Sequence, residues 1–427
     1  MRLFSSTAIV VTLLFVSIGL AIPPHCPNIP SPRFPFNTAL GWAAVKVADG
    51  LTSPRGLAID VRGRLLVVED GAGISQHAVD INGCITSSRI IVSRNDLDHG
   101  IYFSIDGNVL FASSGTTVFS WKYDPDTGDV DGSPRTVVSG MAGDGHHTRT
   151  LIIPPNHSDL LVVSHGSGSN LDYPTISPAT ARAIVKVFNI SIVPEGGYNF
   201  TTHGWNAGYG LRNEVGLAFD GNDMLWGVEN SADELIRDVD GTSTDIHTDN
   251  PAEELNYLGD VSAPNNDWYG YPTCFTVWKP DAITDREFQV GEQFVVAPND
   301  TFNDSTCTQR SVPPRLSFQA HSAPLDSKFD SSYSNLFVTL HGSWDRQPPT
   351  GYKMVAVPFT RDSVGAYTPV AAASSTSGYI DVFRPLDESK CSALTCARPV
   401  GLAFDAVGRL YMTSDTSGEI FMLQVVT

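Results

Sequence analysis

Three arginines recur in one sequence context. Arg55 stands in PRGLAID, Arg212 in LRNEVGLAFD and Arg398 in ARPVGLAFD. A guanidinium group is a planar fork of donors that matches a carboxylate. Three of them brought to one place repel unless an anion lies between them. The chemistry they suggest is capture of an anionic ligand with several carboxylates. Taken singly, each arginine is as well explained by an ion pair with an aspartate of a neighbouring strand. Taken together, the set favours a shared ligand. Such a cationic centre contrasts with the rest of the chain, where 27 Lys+Arg face 46 Asp+Glu for a net charge of −19. That charge argues against nucleic acid or an anionic membrane as a partner, because phosphate would be repelled.

Holding three such residues in register needs a repeated scaffold, and self-comparison finds one. Gly56-Leu-Ala-Ile-Asp60 leads into GRLLVVEDGAG, and Gly100-Ile-Tyr-Phe-Ser104 into DGNVLFASSGTT. Arg149-Thr-Leu-Ile-Ile153 leads into HSDLLVVSHGSG, and Gly216-Leu-Ala-Phe-Asp220 into GNDMLWGVENSADE. Leu325-Asp-Ser-Lys-Phe329 leads into YSNLFVTLHGSWD, and Gly401-Leu-Ala-Phe-Asp405 into GRLYMTSDTSGEI. Each copy reads as a short apolar strand, a turn of the Asp/Asn-Gly kind, and a second strand with alternating apolar residues. Six copies predict an all-β, six-bladed β-propeller. A pair of β-sandwiches is the competing architecture. The copies begin between 44 and 109 residues apart, so some blades carry long insertions. In a propeller the loops entering the inner strands converge on one mouth, and Arg55, Arg212 and Arg398 sit at those entries. Plentiful Gly (37) and Pro (28) beside 41% hydrophobic residues exclude a disordered chain and a coiled coil.

Residues 1–21 read as a signal peptide: Arg2, an apolar run from Ala8 to Ala21, and Gly19-x-Ala21 as a small-residue cleavage signal. Residues 22–427 then form a single propeller domain, expected to be secreted, extracellular and free of any membrane anchor. The six cysteines agree with an oxidising compartment. Proximity favours Cys391–Cys396 and Cys274–Cys307, which leaves Cys26–Cys84. Sequons at Asn156, Asn189, Asn199, Asn299 and Asn303 fit a glycosylated surface.

Seven segments then occur in order: GHHTRTL (145–151), GYGLRNEVGLAFD (208–220), DNPAEELNYL (249–258), YGYPTCF (269–275), HSAPL (321–325), HGSWDR (341–346) and RPVGLAFD (398–405). Across roughly residues 40–425 the chain resembles the soluble PQQ-dependent sugar dehydrogenases. It is most similar to their fungal branch, the secreted pyranose dehydrogenases of the sorbosone dehydrogenase-like kind. The resemblance implies a six-bladed propeller, bound PQQ, Ca2+ and oxidation of a sugar hydroxyl. PQQ carries three carboxylates, the ligand chemistry that the arginines suggest.

The same resemblance implies residue roles. His146 matches the general base, which takes the hydroxyl proton as hydride leaves; a neutral imidazole suits that work near neutrality. His147 points the other way if the stretch is extended. Bacterial relatives hold the base with a carboxylate, but the aligned stretch here is SHGSGSN; Asp144 is nearby. Arg212 and Asn213 match the pair that contacts the quinone oxygens and the sugar, Arg212 doubling as a catalytic electrostatic group. Arg346 and Lys353 join Arg55 and Arg398 as further cofactor-binding cations. Trp344 would stack on the cofactor or the sugar, and His99 lies near a segment that lines the sugar pocket in relatives. The calcium place matches Asp249, Asn250 and Pro251, with main-chain carbonyls as ligands. The chain is two residues shorter there than the bacterial relatives.

Two other readings stay open. One is a Ca2+-dependent hydrolase of the lactonase or strictosidine-synthase type, and the other is a non-catalytic sugar-binding propeller. A dehydrogenase of this kind passes its electrons to an external acceptor. A secreted cytochrome or an oxidative polysaccharide-degrading enzyme is the family-level expectation.

Overall fold

A computed structural model describes residues 25–426. The signal-peptide segment expected at 1–21 lies outside the described residues. Six antiparallel sheets, each built on four strands, follow one another along the chain. All six sequence repeats fall on the first strands of the blades: Pro54–Ile59, Leu97–Phe103, Leu151–Ile152, Glu214–Phe219, Pro324–Phe329 and Pro399–Phe404. These first strands touch one another in chain order, and the last returns against the first. They therefore ring a central axis, all running the same way.

The ring closes through the N-terminal segment. Trp42–Ala48 is the outermost strand of the sixth blade, antiparallel to Glu419–Val425 with Val45 opposite Met422. Cys26–Cys84 ties the segment ahead of it to the first blade. Cys274–Cys307 and Cys391–Cys396 are the other two disulfides, as proximity suggests. Cys274–Cys307 binds the long insertion of the fourth blade, where the helix Asp304–Arg310 also lies.

Each gap between blades holds its own apolar core, and there are six such cores. This explains one departure from the expected pattern. Leu65, Leu66, Val67 and Val68 are consecutive and all 0% exposed. The second strands are buried on both faces, so strict alternation gives way to short apolar runs.

The Asp that follows four of the six first strands is structural. Asp60 Oδ1 accepts from the backbone N–H of Arg62 and Arg64, and Asp220, Asp330 and Asp405 do the same two and four residues on. These carboxylates fix the turns by local side-chain capping. They sit at the end of the axis opposite the arginines.

Candidate active site

The mouth is built from the loops that enter the first strands. His146 lies in the loop before Leu151, at a point where the third blade's second strand has just ended in Gly166 and Ser167. Its Nδ1 lies 3.1 Å from the main-chain oxygen of Ser167 and 3.0 Å from that residue's hydroxyl. A carbonyl only accepts, so Nδ1 carries the proton and Nε2 keeps its lone pair. Ser167 Oγ in turn donates to Ser169 O at 2.8 Å. Burial, then the neighbouring Arg212 charge, lowers the His146 imidazole to about 4. Gly166 permits this approach: a Cβ there would stand 2.5 Å from His146 Cβ and 2.6 Å from Asn213 Oδ1. His146 and Asn213 thus meet across one glycine. His147 diverges, as expected, and packs over Gly115 of the second blade, although the stretch is a loop rather than a strand.

Arg149 holds that loop from beneath. It is 0% exposed and donates to the carbonyls of Ala142, His146 and Thr148.

Arg212 is buried and well occupied. Its Nη2 pairs with Asp233 Oδ2 and Asn170 Oδ1, both at 2.8 Å, and its Nη1 reaches Ser231 O. Its backbone carbonyl accepts from Ser167 N, which couples it to the His146 support. Asp233 Oδ1 faces His321 Nδ1 at 3.4 Å, and Asp345 completes a group whose ligand atoms lie within 4.8 Å of one another.

Arg55 and Arg398 come together through two groups that the sequence reading passed over. Arg398 Nη2 donates to His341 Nδ1 at 2.8 Å, so His341 carries its proton on Nε2 and gives it to Asp415 Oδ2 at 2.9 Å. Arg55 Nη1 reaches the same Asp415 oxygen at 2.8 Å. Burial alone would raise the Asp415 carboxyl. The His341 hydrogen bond and the charges of Arg55 and Arg398 outweigh it and hold the group well below the usual carboxylate range. The arginines therefore do not face one another bare; each has a protein acceptor.

Arg346 crosses from the fifth blade to the fourth-blade insertion. Its Nη1 meets Thr248 O and Asp249 Oδ1, while its Nε is buried without a partner. Asp249 also pairs with Lys279 at 2.9 Å. Asn250 is buried, and its side chain is engaged by the backbone N–H of Trp278 and Lys279. The oxygens turned to the mouth here are the carbonyls of His247, which accepts from His321, and of Thr248. They lie just ahead of Asp249, Asn250 and Pro251, the expected calcium place.

Three expected residues stand apart. Lys353 is held on the fifth blade by Glu388 at 3.3 Å and Asp381 at 3.4 Å. His99 is 4% exposed, on the channel wall below the mouth. Trp344 is 70% exposed, its ring open to solvent on the loop beside Asp345.

A sequence signal for the missed groups does exist. Pro54 pairs with Glu69, Leu97 with Ser114, Glu214 with Glu229 and Pro399 with Ser414. Each second strand therefore ends at the mouth where each first strand begins. His341 and Asp415 come one residue after their second strands, and Ser167 two residues after its own.

This geometry has relatives. The TrAA12-like family model matches residues 36–426. The chain is 42% identical over 406 residues to a pyrroloquinoline quinone-dependent pyranose dehydrogenase of Coprinopsis cinerea, covering 93% of this chain and 56% of that protein. It thus spans little more than half the length of that relative. The holo form of a pyranose dehydrogenase PQQ domain from Coprinopsis cinerea superposes with a TM-score of 0.91 at 42% identity, covering 94% and 99% of the two chains. The calcium structure of a Trichoderma reesei family AA12 enzyme gives 0.87 at 35% identity, covering 94% and 100%. From the fold and these matches, the chain belongs to the TrAA12-like family.

Proposed function

We propose that this chain is a quinoprotein dehydrogenase that oxidises a pyranose hydroxyl with PQQ and Ca2+. The observation that carries the reading is His146, a histidine whose Nε2 lone pair is kept free beside a cluster of cations. The donor set suits PQQ. Arg346 Nε is an orphaned buried donor that an anion would satisfy, and Arg55 and Arg398 stand at the same end of the axis. A tricarboxylate needs several such forks. Ca2+ prefers oxygen, and the His247 and Thr248 carbonyls with the Asp249 carboxylate offer it.

When bound, PQQ supplies the quinone that accepts the hydride. The protein supplies the rest. His146 Nε2 receives the hydroxyl proton of the sugar. Ser167 keeps Nδ1 protonated, so the base faces the sugar in one tautomer. Arg212 and Asn213 orient the reacting groups, Arg212 adding positive charge where negative charge develops. Trp344 covers the sugar face from its exposed loop. His99, Lys353, Asn250 and Pro251 act, on this reading, from behind these groups.

Secretion suits the three disulfides, and an external electron acceptor completes the cycle. The net charge of −19 would steer a basic partner, such as a secreted cytochrome or an oxidative polysaccharide-degrading enzyme. The test is to titrate PQQ into the purified chain with Ca2+ and sugar, with an artificial electron acceptor. Saturable activity that a chelator removes is expected. Absence of binding at micromolar PQQ with Ca2+ present overturns the reading.

A further inference from the structure

The axis has a second end. A cavity of about 550 Å³ opens there, among the far ends of the six first strands and the turns that follow them. That size lies within the range of small-molecule sites. Its walls are Ile59, Phe103, Ile152, Phe219, Phe329 and Phe404. Val61 and Ile105 stand at its rim, 63% and 50% exposed.

Its deep end is polar and rich in donors. Lys328 Nζ donates to Asp326 Oδ1 at 2.6 Å and to Ser327 O at 3.0 Å, which leaves one of its three protons. The acceptors are already taken: Asp326 Oδ1 accepts from Ser327 N and Oδ2 from Leu402 N. Thr150 is engaged with Val215 O. His99 also lines this deep end, and its Nδ1 is buried without a partner. Burial, then the Arg55 charge, keeps that imidazole neutral, so the cation at the deep end is Lys328, which is ion-paired with Asp326. In the tautomer protonated at Nδ1, His99 presents a buried donor next to the remaining Lys328 proton, and a ligand atom that accepts would satisfy both.

We propose that this lower half of the channel is a second binding site, for a small aryl carboxylate. The carboxylate meets Lys328 and the His99 imidazole, and the flat ring lies among the four phenylalanines, which suit an aromatic body. Phosphates are poorly served, because the Asp326 and Asp330 carboxylates share the lining with the one Lys328 cation, and a sugar would leave the four phenylalanine rings without an apolar partner. The site shares only His99 with the proposed chemistry at the mouth, and its fate does not decide that reading.

Cinnamate and cinnamyl alcohol share one body and differ in the head group. Calorimetric titration of each into the full chain tests the proposal. Saturable 1:1 binding of cinnamate is expected, at least tenfold tighter than the alcohol. Lys328→Leu should abolish that preference, while Arg398→Ala at the mouth should leave it intact. Ile105→Trp at the exposed rim should obstruct both probes; it decides the matter if Lys328→Leu fails to fold. Equal binding of acid and alcohol overturns the proposal. So does loss of cinnamate binding in Arg398→Ala with retention in Lys328→Leu, which places the acid at the arginine mouth. No binding of cinnamate at millimolar concentration overturns it as well.

Discussion

His146 gives its Nδ1 proton to the main-chain carbonyl of Ser167, and the hydroxyl of the same residue stands alongside at 3.0 Å. A neutral residue therefore does the orienting that relatives are expected to assign to a carboxylate. His146→Gln should leave PQQ binding nearly intact and lower kcat about 10²–10⁴-fold, the usual worth of a positioned general base. His147→Ala should do far less. Stopped-flow turnover of both variants checks this, and the opposite ranking would remove His146 from the role.

The absence of a carboxylate partner also sets the pH response. The His146 imidazole is lowered to about 4, first by burial and then by Arg212. On the proposed mechanism the neutral form is the working base. The rate should hold as pH falls through 6.5, where an ordinary histidine half-titrates, and decline only near pH 4. Ser167→Asp places an anion beside Nδ1 and should move that acid limb upward. A kcat/KM profile of both proteins across pH 3–8 measures the limb; an unmoved limb denies Ser167 its positioning role.

Arg149 is fully buried and donates to three carbonyls of the loop that carries His146. Arg149→Lys keeps the charge and loses the fork. The base should drift, lowering kcat by about 10²-fold, the scale of a 1 Å misplacement. The PQQ titration endpoint should stay the same. A variant with unchanged kcat would show that the loop is held by other means.

Arg398→Ala removes one partner from the chain Arg398–His341–Asp415–Arg55. PQQ affinity should weaken by about 2–5 kcal/mol, the cost of truncating one member of a buried charge pair. Arg212→Ala should weaken it too and harm turnover more, because it leaves Asp233 unpaired and removes the positive charge proposed to face the reacting groups. Wild-type affinity in both, by fluorescence titration, would place the cofactor elsewhere.

Much of this architecture was legible in the chain. The six repeats predicted the six inner strands because each copy pairs two apolar strands across a short turn, and four of those turns are capped by Asp60, Asp220, Asp330 and Asp405. The disulfides followed from proximity. The site was only half legible. Arg55, Arg212 and Arg398 announce themselves by context, but their acceptors do not, because Asp233, Asn170, Asp415 and His341 come from other loops. Lys353 looked available in sequence; its partners Asp381 and Glu388 are about 30 residues on, across a strand pairing. The His247 and Thr248 carbonyls leave no trace in sequence, since every residue has a carbonyl.

The closure of the ring orders events in time. Trp42–Ala48 leaves the ribosome among the first strands, and its partner Glu419–Val425 among the last. Until then it is an apolar edge with its backbone groups unmatched, a template for wrong pairing. Contacts of such long sequence separation form late and slowly. Folding of this chain should thus be gated by chaperone protection of one early strand. Once the seam has zipped, the two ends of the chain hold each other in one sheet, and neither can leave the ring without breaking the pairing that closes it.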